Sequence, residues 1–193
     1  MNLPNKLTLA RMALVPVFMI FAALGQYGTP SFNSAWYLVA GIVFAAASFT
    51  DFLDGHLARK NHMVTDFGKF ADPLADKLLT TVAFLYMMRD GLCSPVVLAV
   101  ILAREFAVSG LRMVAAGAKD GRVIAANIWG KVKTVLQMLT IIFYYFAAAL
   151  AGPTGVMAVG LITQALCWLV ALVTAASGIQ YLWNNRQFIN TAK

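Results

Sequence analysis

Residues 155–183 read GVMAVGLITQALCWLVALVTAASGIQYLW, a run without one charged side chain. A helix needs about 20 apolar residues to cross the hydrocarbon core of a bilayer, and this run exceeds that. Runs of the same kind recur near residues 6–24, 35–57, 73–90, 95–117 and 126–150. They are continuous, without the alternation of barrel strands. Backbone groups in lipid must find partners within their own segment, so each run is predicted to be a helix. The reading is an all-α polytopic membrane protein with six transmembrane helices. The connections are too short to hold a second folding unit, so residues 1–193 are read as a single domain.

Composition agrees. Of 193 residues, 61% are hydrophobic and 12% charged, and the mean hydropathy is +0.74. That balance excludes an ordinary soluble globular domain. The net charge of +7 raises the question of nucleic acid, and its distribution answers it. With a cytosolic N-terminus, Lys6, Arg11, Arg59 to Lys77, Arg104 to Lys133, Arg186 and Lys193 fall on the inner side. Only Arg89 falls outside, so 14 of 15 basic residues obey the positive-inside rule. The stretches 25–34 and 151–154 carry no charge, which suits the outer face. The basic excess reads as orientation and attraction to anionic lipid, not as nucleic-acid binding. Both termini are then cytosolic.

Lys6 and Arg11, followed by an apolar run and the small residues Ala22 and Ala23, imitate a secretory signal. The run is long enough to be a retained span, and retention is the reading adopted. No organelle-targeting leader is evident, so the expected location is a bacterial cytoplasmic membrane. Cys93 and Cys167 show no metal-binding spacing and read as free thiols packed as small apolar groups.

Against this apolar background one stretch stands out. Five of the eight acidic residues lie between Asp51 and Asp76. Charge in a membrane protein is costly and marks function. Asp51 and Asp54 are three apart near the end of the second run, and Asp72 and Asp76 four apart near the start of the third. Both spacings put a pair on one helix face. The turn near residues 60–68 is short, so the two helices are expected to be antiparallel neighbours with carboxylates facing across a gap. Bundles build two-metal sites in this way. All-carboxylate ligation suits Mg²⁺, Mn²⁺ or Ca²⁺. Two such ions are a standard device for phosphoryl transfer. His56 and His62 are not placed for zinc, and Asp66 reads as an ordinary solvated helix-end acid. Gly55 and Ala58 leave room beside the acids, Arg59 offers a fork for phosphate oxygens, and Gly68 opens space on the facing side. Pro73 is expected in the first turn of the third helix, where its missing N–H is harmless.

The pattern Asp51-x2-Asp54-Gly55-x2-Ala58-Arg59-x8-Gly68-x3-Asp72-x3-Asp76 resembles the signature of the CDP-alcohol phosphotransferase family at every fixed position. The resemblance covers nearly the whole chain, since the family core is also six membrane helices. It implies a membrane-embedded enzyme that uses two divalent cations, Mg²⁺ or Mn²⁺, and a CDP-linked lipid such as CDP-diacylglycerol. An alcohol attacks the lipid phosphate and CMP leaves. By the same resemblance Asp51, Asp54 and Asp72 mainly hold metal. Asp76 holds metal and is the base for the acceptor hydroxyl, with Asp72 beside it in the catalytic set. A homodimer is implied in the same way.

Three further segments resemble the branch of the family that makes phosphatidylglycerophosphate. They are Asn2-Leu-Pro-Asn5-Lys-Leu-Thr8-Leu-Ala-Arg11, Ala103-Arg104-Glu105-Phe-Ala-Val-Ser109-Gly-Leu-Arg112, and Gly130-Lys131-Val-Lys133-Thr134 with Gln137. Arg104 and Arg112 are eight apart, close to one helix face. Lys131 and Lys133 open the next helix. Four cations beside a metal site suggest a pocket for a second anion, and glycerol 3-phosphate carries one. Arg104 either serves that pocket or is tied up with Glu105. Asn5 and Thr8 either contact the nucleotide or cap the first helix. The expected reaction is phosphatidyl transfer from CDP-diacylglycerol to glycerol 3-phosphate. Alternatives are a sister enzyme with another acceptor, such as a cardiolipin synthase or an inositol-phosphate transferase, or a cation transporter. The acids sit at helix ends and no inverted repeat is visible, which argues against transport.

Overall fold

All six runs are helical in the computed structural model. The structure describes residues 3–27, 30–60, 66–117, 128–151 and 155–186, with side chains described at 9–27, 34–50, 77–117, 128–151 and 155–186. The helices are α1 (Leu3–Tyr27), α2 (Pro30–Lys60), α3 (Asp66–Arg89), α4 (Pro95–Gly117), α5 (Ile128–Leu150) and α6 (Val156–Asn184). Among the described residues there is no strand. Pro30 and Pro95 each stand first in their helices, where a missing N–H costs nothing.

The apolar pattern placed α4, α5 and α6 to within two residues and missed the length of α2 and α3. α3 is lengthened at the end where the aspartates lie, and α2 is lengthened at both of its ends. One expectation is corrected by this. α3 begins at Asp66, so Pro73 lies inside the helix and not in its first turn. An acidic residue at the start of a helix complements the dipole, which favours the earlier start.

Inward-facing apolar residues recur at helical spacing, as Val15, Phe18 and Ala22 on α1 and Ala40, Phe44 and Ala47 on α2. The centre is aromatic. The Phe18 ring lies 5.3 Å from Tyr145 and 6.0 Å from Phe44. Gly41 lets α2 approach α5, since a Cβ there would lie 3.1 Å from the Tyr145 Cβ. α1 packs on α2 and α3, α5 on α2 and α6, and α4 mainly on α6. The described contacts between α2 and α3 are sparse. The stretch where the two helices were expected to face, residues 51–76, lies outside the described side chains.

The outward faces are apolar too. Leu161, Leu172, Ile179 and Trp183 of α6 are all largely exposed. Water would penalise such a surface and lipid would not. By length and composition Leu9–Tyr27, Ile128–Leu150 and Val156–Asn184 can each cross a membrane. These three helices mark a membrane protein.

Contacts at the two ends show that the helices alternate in direction. At one end Asp90, in the turn after α3, accepts from Gln26 Nε2 of α1 at 2.8 Å, from Tyr37 Oη of α2 at 3.0 Å and from Tyr144 Oη of α5. Gln164 of α6 reaches the Gly91 carbonyl in the same turn at 3.3 Å. Gly91 has φ +77°, a conformation that favours glycine, and so makes this turn possible. Arg89, at the end of α3, lies 4.0 Å over the Tyr27 ring. Cys93 and Cys167 are free and buried, as expected.

Candidate functional site

The opposite end gathers the charge. α3 brings Lys77, the residue after Asp76. α4 brings Arg104, Glu105, Ser109 and Arg112, α5 brings Lys133, and α6 brings Ser177 and Tyr181. Glu105 and Ser109 are four apart, hence on one helix face.

Glu105 is the hub. Its Oε1 accepts from Arg104 Nη1 at 3.0 Å and from Lys133 Nζ, and its Oε2 pairs with Lys77 Nζ at 3.5 Å. Lys133 is 5% exposed, and the side chains of Arg104 and Glu105 are 11% and 13% exposed. Lys77 also donates to Ser109 Oγ, and Arg104 Nη2 donates to Ser177 Oγ at 3.1 Å. Three cations therefore surround one carboxylate, which ties α3, α4 and α5 together, and Arg104 carries the link on to α6.

Arg104 reaches this position because two glycines make space for it. A Cβ at Gly178 would lie 2.8 Å from Arg104 Cγ, and one at Gly130 would lie 3.2 Å from Nη2. Sequence reasoning quoted Gly130 only as part of a motif and missed Gly178. The signal was there as a Ser-Gly pair near the end of the last apolar run.

Of the four cations expected to form an anion pocket, the structure brings Arg104 and Lys133 together. Arg112 lies further along the same face of α4. Its Nε donates to Tyr181 Oη at 3.1 Å, and its guanidinium stands 5.5 Å from that ring. Lys131 does not join them. Two residues along a helix turn the face by about 200°, so Lys131 and Lys133 point to opposite sides. Lys131 is exposed and, with Ile128, Val132, Val135, Leu136 and Leu139, lines an apolar groove of about 340 Å³. Lys77 was read only as part of the inner basic excess, yet it belongs to the cluster. Arg11, from the start of α1, is buried at the same end.

The remaining site residues lie outside the described side chains: Asn5, Thr8, Asp51, Asp54, Gly55, Ala58, Arg59, Gly68, Asp72 and Asp76. Among the described residues there is no group of three or more acidic, histidine or cysteine side chains placed to hold a metal. The helical backbone does run through 51–60 and 66–76. The spacings of the two aspartate pairs thus fall on real helical turns, as one-face pairing requires. Four carboxylates without histidine or cysteine form a donor set that fits hard divalent cations.

Comparison with known proteins is direct. The family model of the CDP-alcohol phosphatidyltransferases matches residues 1–177. A CDP-diacylglycerol–glycerol-3-phosphate 3-phosphatidyltransferase of Bacillus subtilis is 41% identical, over 99% of this chain and 98% of its own. Proteins of the same name from Rickettsia felis and Pseudomonas fluorescens are 34% and 35% identical. They match 93% and 94% of this chain, and 93% and 89% of their own.

Proposed function

We propose that this chain, which belongs to the CDP-alcohol phosphatidyltransferase family, transfers the phosphatidyl group of CDP-diacylglycerol to glycerol 3-phosphate, giving phosphatidylglycerophosphate and CMP. One observation carries the choice of acceptor. The cluster of Lys77, Arg104 and Lys133 holds more positive charge than Glu105 can balance, and it begins one residue after the aspartate motif. A phosphate-bearing acceptor suits that excess; glycerol, serine or ethanolamine would not use it.

In this reading the phosphate of glycerol 3-phosphate rests against Lys77, Arg104 and Lys133, with Arg112 near the entrance. Asn5, Thr8, Gly55, Ala58, Arg59 and Gly68 form the nucleotide and lipid-phosphate side. A free hydroxyl of the acceptor attacks the lipid-bearing phosphorus. One P–O bond forms, the P–O bond to CMP breaks, and the hydroxyl proton passes to Asp76. Asp51, Asp54, Asp72 and Asp76 would hold two Mg²⁺ or Mn²⁺ ions, which when bound neutralise phosphate charge and acidify the attacking hydroxyl. The protein's own share is positioning and preorganised charge.

The same proposal includes all six helices as membrane spans, cytosolic termini, an active site open to the cytosol of a bacterial inner membrane, and a homodimer. The test is CMP release by purified protein in detergent with CDP-diacylglycerol and Mg²⁺ or Mn²⁺. Release is expected with glycerol 3-phosphate and not with inositol phosphate, phosphatidylglycerol or no acceptor. Release only with another acceptor would move the protein to a sister activity.

A further inference from the structure

Three cations from three helices repel one another, and side chains as long as lysine and arginine disperse unless something holds them. Glu105 holds them here. Its two oxygens take Arg104, Lys133 and Lys77, and among the described residues the cluster keeps a formal excess of two positive charges. Among the described residues the second tethers of Lys77 and Arg104 are neutral hydroxyls, Ser109 for Lys77 and Ser177 for Arg104. They fix the direction of each cation without cancelling its charge. A cluster built only to join helices would gain from further carboxylates in those places.

Two buried donors are also left over. Arg104 Nε and Gln137 Nε2 have no hydrogen-bond partner among the described residues. Gln137 stands one turn beyond Lys133 on the same face of α5. Buried donors rarely go without acceptors. A phosphate monoester carries about −1.5 to −2 charge near neutral pH and three strong acceptor oxygens. It would match both the excess charge and the spare donors.

We infer that Glu105 is a positioning residue that assembles Lys77, Arg104 and Lys133 into one preformed receptor for the phosphate monoester of the acceptor, and that Lys77 is a member of that receptor. The inference rests on the proposed function, and it runs against simple charge counting. Neutralising Glu105 raises the local positive charge, so electrostatics alone would tighten anion binding. Loss of positioning loosens it.

The experiment uses the full-length protein in detergent, with Glu105→Gln, Glu105→Asp, Lys77→Gln and Lys133→Ala. Steady-state CMP release gives KM for each substrate, and inorganic phosphate serves as a competitive probe of the acceptor site. Glu105→Gln should raise the acceptor KM and the inhibition constant of phosphate together by about tenfold. The KM for CDP-diacylglycerol should stay within about twofold. Glu105→Asp, which keeps the charge on a shorter arm, should recover part of the loss. An acceptor KM that is unchanged or lower in Glu105→Gln overturns the inference. If that variant does not fold, Lys77→Gln decides: a raised acceptor KM and phosphate inhibition constant support the receptor, and unchanged values overturn it. Lys133→Ala separates the two levels. If it raises the acceptor KM while Glu105→Gln does not, only the positioning role fails. If neither changes it, the acceptor does not bind here and the proposed site itself fails.

Discussion

Gly178→Ala is the sharpest perturbation of Arg104 that leaves every charge in place. The new Cβ would stand 2.8 Å from Arg104 Cγ and 3.5 Å from its Cβ. Carbon atoms in contact settle at about 3.5–4.0 Å, so one side must give by about 0.7 Å. The obstructing atom is in the stem of the side chain, near the α4 backbone, and cannot swing clear as a flexible tip would. The guanidinium is held at both ends, 3.0 Å from Glu105 and 3.1 Å from Ser177. A shift of that size carries the Ser177 contact to about 3.8 Å, beyond a hydrogen bond. Overpacking costs about 1–3 kcal/mol and a lost hydrogen bond to a charged group about 1.5–3 kcal/mol. Alanine returns only about 1 kcal/mol of helix propensity. The clash therefore wins. Stability should fall by about 1.5–5 kcal/mol, and the acceptor KM should rise by about tenfold, the equivalent of about 1.4 kcal/mol. The assays are thermal unfolding in detergent and steady-state CMP release. Arg104→Ala removes the Cγ, so in that background Gly178→Ala should be neutral or slightly stabilising. The two substitutions should then couple by about 1.5 kcal/mol or more. A Gly178→Ala protein that is more stable, keeps its acceptor KM and shows additivity with Arg104→Ala would refute the reasoning.

Other expectations concern both ends of the bundle. Asp76→Asn should leave a folded protein that releases no CMP; turnover in that variant would remove Asp76 as the base. Chelation with EDTA should stop CMP release and Mg²⁺ or Mn²⁺ should restore it, whereas activity that persists in chelator would count against the metal reading. Because Lys131 and Lys133 face opposite ways, Lys133→Ala should raise the acceptor KM by about tenfold and Lys131→Ala by less than about twofold; equal effects would place both in one pocket. At the other end, burial holds the Asp90 carboxyl above its ordinary value of 3.8, against hydrogen bonds from Tyr144, Tyr37 and Gln26 and the nearby Arg89 charge, which pull it down. The folded chain then binds that proton more tightly than the unfolded chain. The corresponding stability is complete below the ordinary value and declines as pH rises through the folded-state value. Thermal unfolding followed from about pH 4 to 7 should show this decline, and Asp90→Asn should flatten it; the same slope in both proteins would acquit Asp90.

What the sequence made legible follows from the kind of signal each feature carries. A span such as Val156–Asn184 announces itself because apolar content is a local property. The extra turns of α3 before Pro73 do not, since polar residues and a proline hide a helix that apolar counting cannot see. Spacing along one helix was equally readable. Arg104 and Arg112 were placed near one face, and both turn toward α6, to Ser177 and Tyr181. Lys131 was grouped with Lys133 by closeness in sequence, whereas two residues on a helix are nearly opposed, and here one is exposed and the other buried. Lys77 and Ser177 escaped for another reason. Their roles exist only once α3 and α6 are brought against α4, and no local pattern states that pairing.

Each end of this bundle is organised around a half-buried carboxylate. Asp90 and Glu105 each tie elements from across the fold. Asp90 takes its hydrogen bonds from an amide and two phenols, all neutral. Glu105 takes its partners from two lysines and an arginine. Neutral donors fill the acceptor sites of a carboxylate and add no positive charge, so the Asp90 end holds the helices together without calling for an anion. Cationic donors over-satisfy it, and among the described residues no second carboxylate meets the surplus. Surplus charge in a half-buried place costs stability, and a fold whose only need was cohesion had the cheaper solution already in use at its other end. The choice of cations around Glu105 therefore points to binding.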